Sequence, residues 1–105
     1  MPLSVFQKQV YDLISRIPRG RISTYRAVAR ALDKPRASRA VGNALHNNPF
    51  APQVPCHRII KSDGRVGGYG GGSGKKQAML KKEGVKIIDG WIDLKKYGYE
   101  FASKK

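Results

Sequence analysis

Cys56 and His57 stand side by side in the stretch QVPCHRII, and Cys56 is the one cysteine of the chain. A thiolate is a strong nucleophile, and an adjacent imidazole is well suited to take a thiol proton near neutral pH. A lone cysteine is equally a small apolar residue that a core buries without using its chemistry. Two features favour chemistry here. The approach NPFAPQVP carries three prolines in eight residues, which suits neither a helix nor a central strand and puts the thiol at a rigid turn. Arg58 follows the pair, and a cation in a strongly basic chain favours thiolate. Such a base needs a third group to orient it. Carboxylates are scarce, and Glu83, at the end of KKQAMLKKEG, is the best candidate.

Two other chemistries fail on spacing. One cysteine and two histidines, with His57 adjacent to Cys56, cannot supply the spaced ligand pairs of a structural zinc site. The glycine run lacks a phosphate-loop pattern, because Tyr69 stands where its first glycine belongs and Lys76 where its serine or threonine belongs. Neither a metal nor a cofactor is expected.

The elements that must position these residues are legible from periodicity. Ser4 suits the N-cap of a helix running to about residue 16, with Phe6, Val10, Leu13, Ile14 and Ile17 as its buried stripe. PRGR ends it, RIST suits a short strand, and Ser23 or Thr24 suits the cap of a second helix. Tyr25, Val28, Ala29 and Leu32 share one face of that helix. Pro35 fits the first position of a third helix over about 36–47. Ala37, Ala40, Val41, Ala44 and Leu45 line one side of it, and Arg36, Arg39, Asn43, His46 and Asn47 the other. Two helices joined by a tight turn, the second basic outside, read as a helix-turn-helix or as an ordinary amphipathic pair. CHRIIKSDGRVGGY suggests a strand, an Asp63-Gly64 turn and a return. GGYGGGSG reads as a loop, KKQAMLKKEG as a helix ending at Gly84, and the tail VKIIDGWIDLKKYGYEF as a hairpin turning at Asp89-Gly90. The expected fold class is mostly α with short β strands, a winged-helix-like helix-turn-helix domain.

The 105 residues suit one domain, and 21 Lys and Arg against 7 Asp and Glu give a net charge of +14. A domain this basic fits a polyanionic partner, nucleic acid above all, or else carries a solvated basic surface. No apolar run approaches the ~20 residues of a membrane span, and the N-terminus lacks the pattern of a signal peptide. A single cysteine suits a reducing compartment, so a cytoplasmic, nucleoid-associated monomer is expected.

The blocks ISTY, ASRAVGNAL, NNPFAPQVPCHRII, DGRVGGYGGG and LKKEGV occur in the order found in O6-alkylguanine-DNA alkyltransferases. The chain resembles the C-terminal, active-site domain of that family, from SVFQKQVYDL to EGV and on through DGWIDLKKYG. The resemblance implies that Cys56 accepts the alkyl group, that His57 acts as base through a bridging water, and that Glu83 orients the histidine. It implies that Tyr25 donates a hydrogen bond to a flipped guanine and that Arg39 fills the gap left in the base stack. Asn48 would brace the turn between the recognition helix and the active-site loop, Pro55 would aim the thiol, and Tyr69 would line the alkyl pocket. Arg36, Ala40, Gly42 and Asn43 would join Arg39 at the DNA, the small residues letting the backbone approach a minor groove. The implied partner is double-stranded DNA carrying O6-alkylguanine, bound without regard to sequence.

The chain also departs from the family pattern. The N-terminal domain of many relatives is not expected here, and Gly70 stands where a serine often follows the pocket tyrosine. Short relatives include alkyltransferase-like proteins, which sense the lesion without removing it and typically replace the cysteine. The leading expectation is a single-turnover DNA-repair alkyltransferase. The alternative is such a sensor, and a basic helix-turn-helix regulator with an incidental cysteine ranks third.

Overall fold

A computed structural model describes residues 3–68 and 73–101. Helix α1, Val5–Ile14, starts at Ser4, whose side chain accepts from the Gln7 backbone N–H while Gln7 returns the bond to the Ser4 N–H. This reciprocal pair satisfies two donors that a helix start otherwise leaves bare. A short strand β1, Ser23–Thr24, runs directly into α2, Tyr25–Ala31, with Thr24 Oγ1 accepting from Ala27 N–H as the cap. Helix α3, Ser38–His46, follows a tight connection and packs on both α1 and α2.

That connection is built in two steps. Asp33 takes the left-handed conformation (φ 60°), with its N–H donating to Arg30 O and the Lys34 N–H to Ala29 O, so the last carbonyls of α2 are satisfied. Ala37 N–H then donates 2.8 Å to Lys34 O, closing a β-turn with Pro35 at its second position. The fixed φ of proline serves that corner as well as it serves a helix start. The third helix therefore begins at Ser38, not at residue 36, and Arg36 lies in the turn before α3. Ala40, expected on the core side, is exposed beside Arg39 and Asn43, whereas Val41, Ala44 and Leu45 are buried.

After α3 the chain forms the proline-rich loop, the 3₁₀ turn Cys56–Arg58 and strand β2, Ile59–Ile60. Among the described residues the returning arm gives β2 no strand partner, and Lys61 N–H donates across the turn to Arg65 O. Strand β2 pairs in parallel with β1, Ser23 opposite Ile59 and Thr24 opposite Ile60. The Asp63-Gly64 turn does form, with Gly64 N–H donating to Lys61 O and Gly64 at φ 101°. Its outgoing arm meets the hairpin at Asp89-Gly90 instead, Arg65 bridging Trp91. That hairpin has both central residues at positive φ and mutual Ile88–Trp91 hydrogen bonds, a turn that matches strand twist. Its far arm is not a strand but a short helix, α5, Leu94–Tyr97, because the Asp93 carboxylate caps the Lys95 and Lys96 N–H groups.

Two apolar clusters hold these pieces. Val10, Tyr11, Ile14, Ile17, Val28, Val41 and Leu45 join the three-helix part to Cys56 and Ile59. Ile22, Ile60, Val66, Leu80, Val85 and Ile92 form the second, under helix α4, Ser73–Lys82, and the C-terminal hairpin. Burying each such aliphatic side chain contributes about 1.5–3 kcal/mol. Ile59 and Ile60 point into different clusters, as adjacent strand residues must. The 3₁₀ turn that carries Cys56 thus stands at the junction of the two. The architecture is a mostly helical helix-turn-helix domain with a small two-stranded sheet.

Candidate active site

The site grows from the parallel register of β1 and β2. That pairing fixes the 3₁₀ turn beside the start of α2, so Cys56 and Tyr25 belong to one packed cluster. Both Cys56 and His57 are buried, as is Pro55 before them. Helix α4 packs against this turn and ends at Lys82, directly before Glu83. Gly84 at φ 93° closes the helix end, with Gly84 N–H donating to Lys81 O and Val85 N–H to Leu80 O. That closure sets Glu83 facing the 3₁₀ turn. His57 Nε2 lies 3.0 Å from Glu83 Oε2.

The protonation state follows from three causes. Burial alone would push the Glu83 carboxyl up, but hydrogen bonds from Arg58 and His57 outweigh it and hold the group below its usual range. An ionised carboxylate only accepts, so Nε2 is the ring nitrogen that bears the proton. Burial pulls the His57 pKa below its ordinary value; Glu83 pulls it up, while Arg58 and Lys76 push it down. The imidazole is therefore neutral near pH 7. Its other nitrogen, Nδ1, is buried without a hydrogen-bond partner among the described residues, which leaves a basic lone pair next to the cysteine in sequence.

Arg58 is not the free cation that its place in the sequence suggests. Its Nε donates 2.9 Å to Glu83 Oε1, its Nη2 2.8 Å to Glu83 Oε2, and its Nη1 2.7 Å to Ile17 O. Its charge is spent on the carboxylate. A buried cation at the end of this turn is Lys76, a residue that sequence reasoning passed over. Lys76 is fully buried in α4, with Nζ donating 2.6 Å to Ile59 O and 3.2 Å to Gly68 O. Burial lowers its ammonium to about 8, a thiolate at Cys56 acting in the opposite sense. One signal was available: Lys76, Leu80 and Glu83 fall at i, i+4 and i+7, the inner stripe of a helix whose other lysines face water.

The remaining expected residues fall in two groups. Asn48 lies at the root of the proline-rich loop, its Nδ2 donating 2.9 Å to Val54 O and its Oδ1 accepting 2.9 Å from Phe50 N–H. Two bonds across six residues make the loop a closed unit that delivers Pro55 and Cys56. Tyr25 is half-buried against this part of the molecule, and burial, then a Cys56 thiolate, raises its phenol pKa. Gly42 backs onto it; a Cβ there would sit 3.9 Å from the Tyr25 ring. Arg39, Ala40 and Asn43 are exposed on the outer side of α3, and Arg36 on the turn before it. Tyr69 lies outside the described residues. The sequence also gave no sign of Tyr11, whose hydroxyl donates 2.6 Å to Ala44 O and whose ring meets Phe50 edge-on at 6.1 Å. It fastens α3 and the loop to α1.

Comparison with known proteins gives the family. A family model described as 6-O-methylguanine DNA methyltransferase, DNA binding domain, matches residues 5–85. A methylated-DNA–protein-cysteine methyltransferase of Methanosarcina barkeri is 47% identical over 78 residues, covering 74% of this chain and 49% of that protein. The chain spans about half the length of most curated relatives it matches. Among solved structures, Mycobacterium tuberculosis OGT in complex with DNA superposes with a TM-score of 0.76 at 41% identity, over 78% of this chain and 51% of the other. S. pombe Atl1 in complex with damaged DNA containing O6-carboxymethylguanine superposes with a TM-score of 0.84 at 30% identity, over 95% of this chain and 99% of the other.

Proposed function

We propose, from the premise that the chain belongs to the family of 6-O-methylguanine DNA methyltransferase DNA-binding domains, that it is a DNA-repair protein of the alkyltransferase type. Residues 1–105 correspond to the active-site domain that lies C-terminal in longer relatives. It binds duplex DNA as a monomer from the minor groove, without reading sequence, and takes an O6-alkylguanine out of the stack. Extrusion is required because the alkylated oxygen is out of reach of a protein thiol inside the duplex. Its place of work is wherever the genome lies, the nucleoid of the cytoplasm.

The chemistry follows from the side chains. His57 Nδ1 takes the Cys56 proton through a bridging water, and Glu83, a positioning residue, holds the ring by Nε2. The thiolate attacks the alkyl carbon in line. The S–C bond forms as the C–O6 bond breaks, and the electron pair leaves with the base, which takes up a proton to become guanine. Tyr25 donates a hydrogen bond to the extruded base and Tyr69 lines the alkyl pocket. Arg39, with Arg36, Ala40, Gly42 and Asn43 around it, fills and flanks the gap in the duplex. The product thioether has no route back, so each molecule acts once.

The observation that carries this reading is the ordered pair His57–Glu83, neutral base on ionised carboxylate at 3.0 Å, directly after a buried cysteine. A second reading, a lesion sensor without transfer, is favoured by the match to Atl1 along nearly its whole length; Cys56, which a sensor does not need, speaks for transfer. Incubation with a duplex containing O6-methylguanine, followed by peptide mass measurement, separates them. Transfer adds one methyl to the Cys56 peptide and none in Cys56→Ser. Tight lesion binding with unchanged mass would leave the sensor.

A further inference from the structure

We propose that Arg58 is the positioning residue on which the His57–Glu83 pair depends, clamping the carboxylate in plane against His57 and tying it to the end of α1. The inference rests on the alkyl-transfer reading and adds to it the group that makes His57 usable as a base.

Glu83 sits at an awkward place for an anion. It directly follows the last residue of α4, Lys82, at the helix end where carbonyl dipoles gather negative charge and disfavour a carboxylate. It is also nearly buried, its side chain about 9% exposed. Its two oxygens accept three bonds, two of them from Arg58 in the bidentate fork that only a guanidinium offers. The third arm of that guanidinium reaches Ile17 O. The turn after α1 reinforces the same point: Arg19 Nη2 donates 3.0 Å to Lys82 O, and Gly20, at φ 88°, passes so close that a Cβ would lie 3.2 Å from Glu83 O. The carboxylate is thus held in three directions, and its Oε2 is left with one direction toward His57.

Charge is the second part. A buried carboxylate alone beside an imidazole traps it as imidazolium, and an imidazolium cannot accept a thiol proton. The groups facing His57 are Glu83, Arg58 and Lys76, and Glu83 opposes the other two. Arg58 offsets the Glu83 charge while leaving its hydrogen bond intact. In the 3₁₀ turn His57 and Arg58 are consecutive, yet both reach Glu83 Oε2. A two-residue unit therefore carries base and counter-charge together.

Two variants separate fork from charge. Arg58→Met loses both, and Arg58→Lys keeps the charge without the fork. The readouts are single-turnover methyl transfer from an O6-methylguanine duplex between pH 6 and 8.5, and NMR titration of the His57 ring in the free protein. For Arg58→Met the expectation is a few-fold loss at pH 8.5, about a tenfold further loss at pH 6 as the base becomes protonated, and a His57 titration moved up. For Arg58→Lys the expectation is a lowered plateau with the acid limb and the titration where the parent has them. Arg58→Gln, which keeps N–H donors without charge, replaces the methionine variant if that does not fold. Equal loss at every pH with an unmoved His57 titration overturns the proposal and leaves Arg58 a packing residue. If the parent itself transfers no methyl, the alkyl-transfer reading fails, and the titration of His57 still decides what Arg58 does.

Discussion

At the residue scale, the proposed reaction at Cys56 rests on neighbours that divide the work between them. His57 offers a neutral lone pair, Glu83 fixes the ring, and Lys76 supplies buried positive charge. Cys56→Ser should bind the lesion duplex within a few-fold of the parent and transfer nothing, as read by gel shift and peptide mass. The same pairing makes stability depend on acid. His57 has its folded pKa lowered and Glu83 likewise, so at low pH the unfolded chain binds more protons than the folded one. The contribution of this pair is full above the unfolded histidine value of about 6.5, falls as His57 is forced to charge, and falls again below about 4.3 as Glu83 is protonated. Thermal melts from pH 8 to 4 should show this decline, and His57→Gln should flatten its first part. Cys56, His57 and Glu83 were legible because the block pattern carries them. The Arg58 fork and buried Lys76 were not. A lysine inside KKQAMLKK and an arginine beside a thiol both look solvated or free until a helix end and a turn are brought together.

At the element scale, the loop after α3 matters as much as the helix. Asn48 holds it by two bonds across 48–54, so Asn48→Ala should cost about 1–3 kcal/mol by leaving a partly buried carbonyl unpaired. Denaturant melts measure that cost, and transfer should slow more than lesion binding weakens. Arg39 stands exposed on α3 and takes no part in the His57–Glu83–Arg58 hydrogen bonds. Arg39→Ala should weaken discrimination of lesion from plain duplex several-fold while leaving Cys56 equally reactive toward a small alkylating reagent; parallel loss of both would contradict its role in extrusion. The helices were legible from 3.6-residue spacing and from Ser4, Thr24 and Gly84 at their ends. What sequence misplaced was local. Pro35 serves a turn as readily as a helix start, and β2 found its partner in β1, 36 positions away in register, which no local pattern encodes. Asp93 made a helix where alternation suggested a strand.

At the scale of the molecule, +14 is more charge than helix α3 carries. Lys75, Lys81, Lys82, Lys86, Lys95 and Lys96 are all exposed on or beside α4 and α5. Binding to undamaged duplex should therefore be strongly salt-dependent and indifferent to sequence. With six or more phosphates engaged, affinity should fall by about 10³-fold or more between 50 and 200 mM salt, as fluorescence anisotropy would read; a shallow slope would mean that the charge serves another purpose. Composition made this much legible, but not where the lysines lie. The two apolar clusters explain how such a small chain holds the Cys56–Arg58 turn at their junction. The most direct test of the whole account counts events. With O6-methylguanine duplex in large excess, guanine should be restored to a plateau of about one per protein molecule, with one methyl on Cys56 and a protein that then restores no more. No restoration, or restoration that continues past one, would contradict transfer to Cys56 as the reaction.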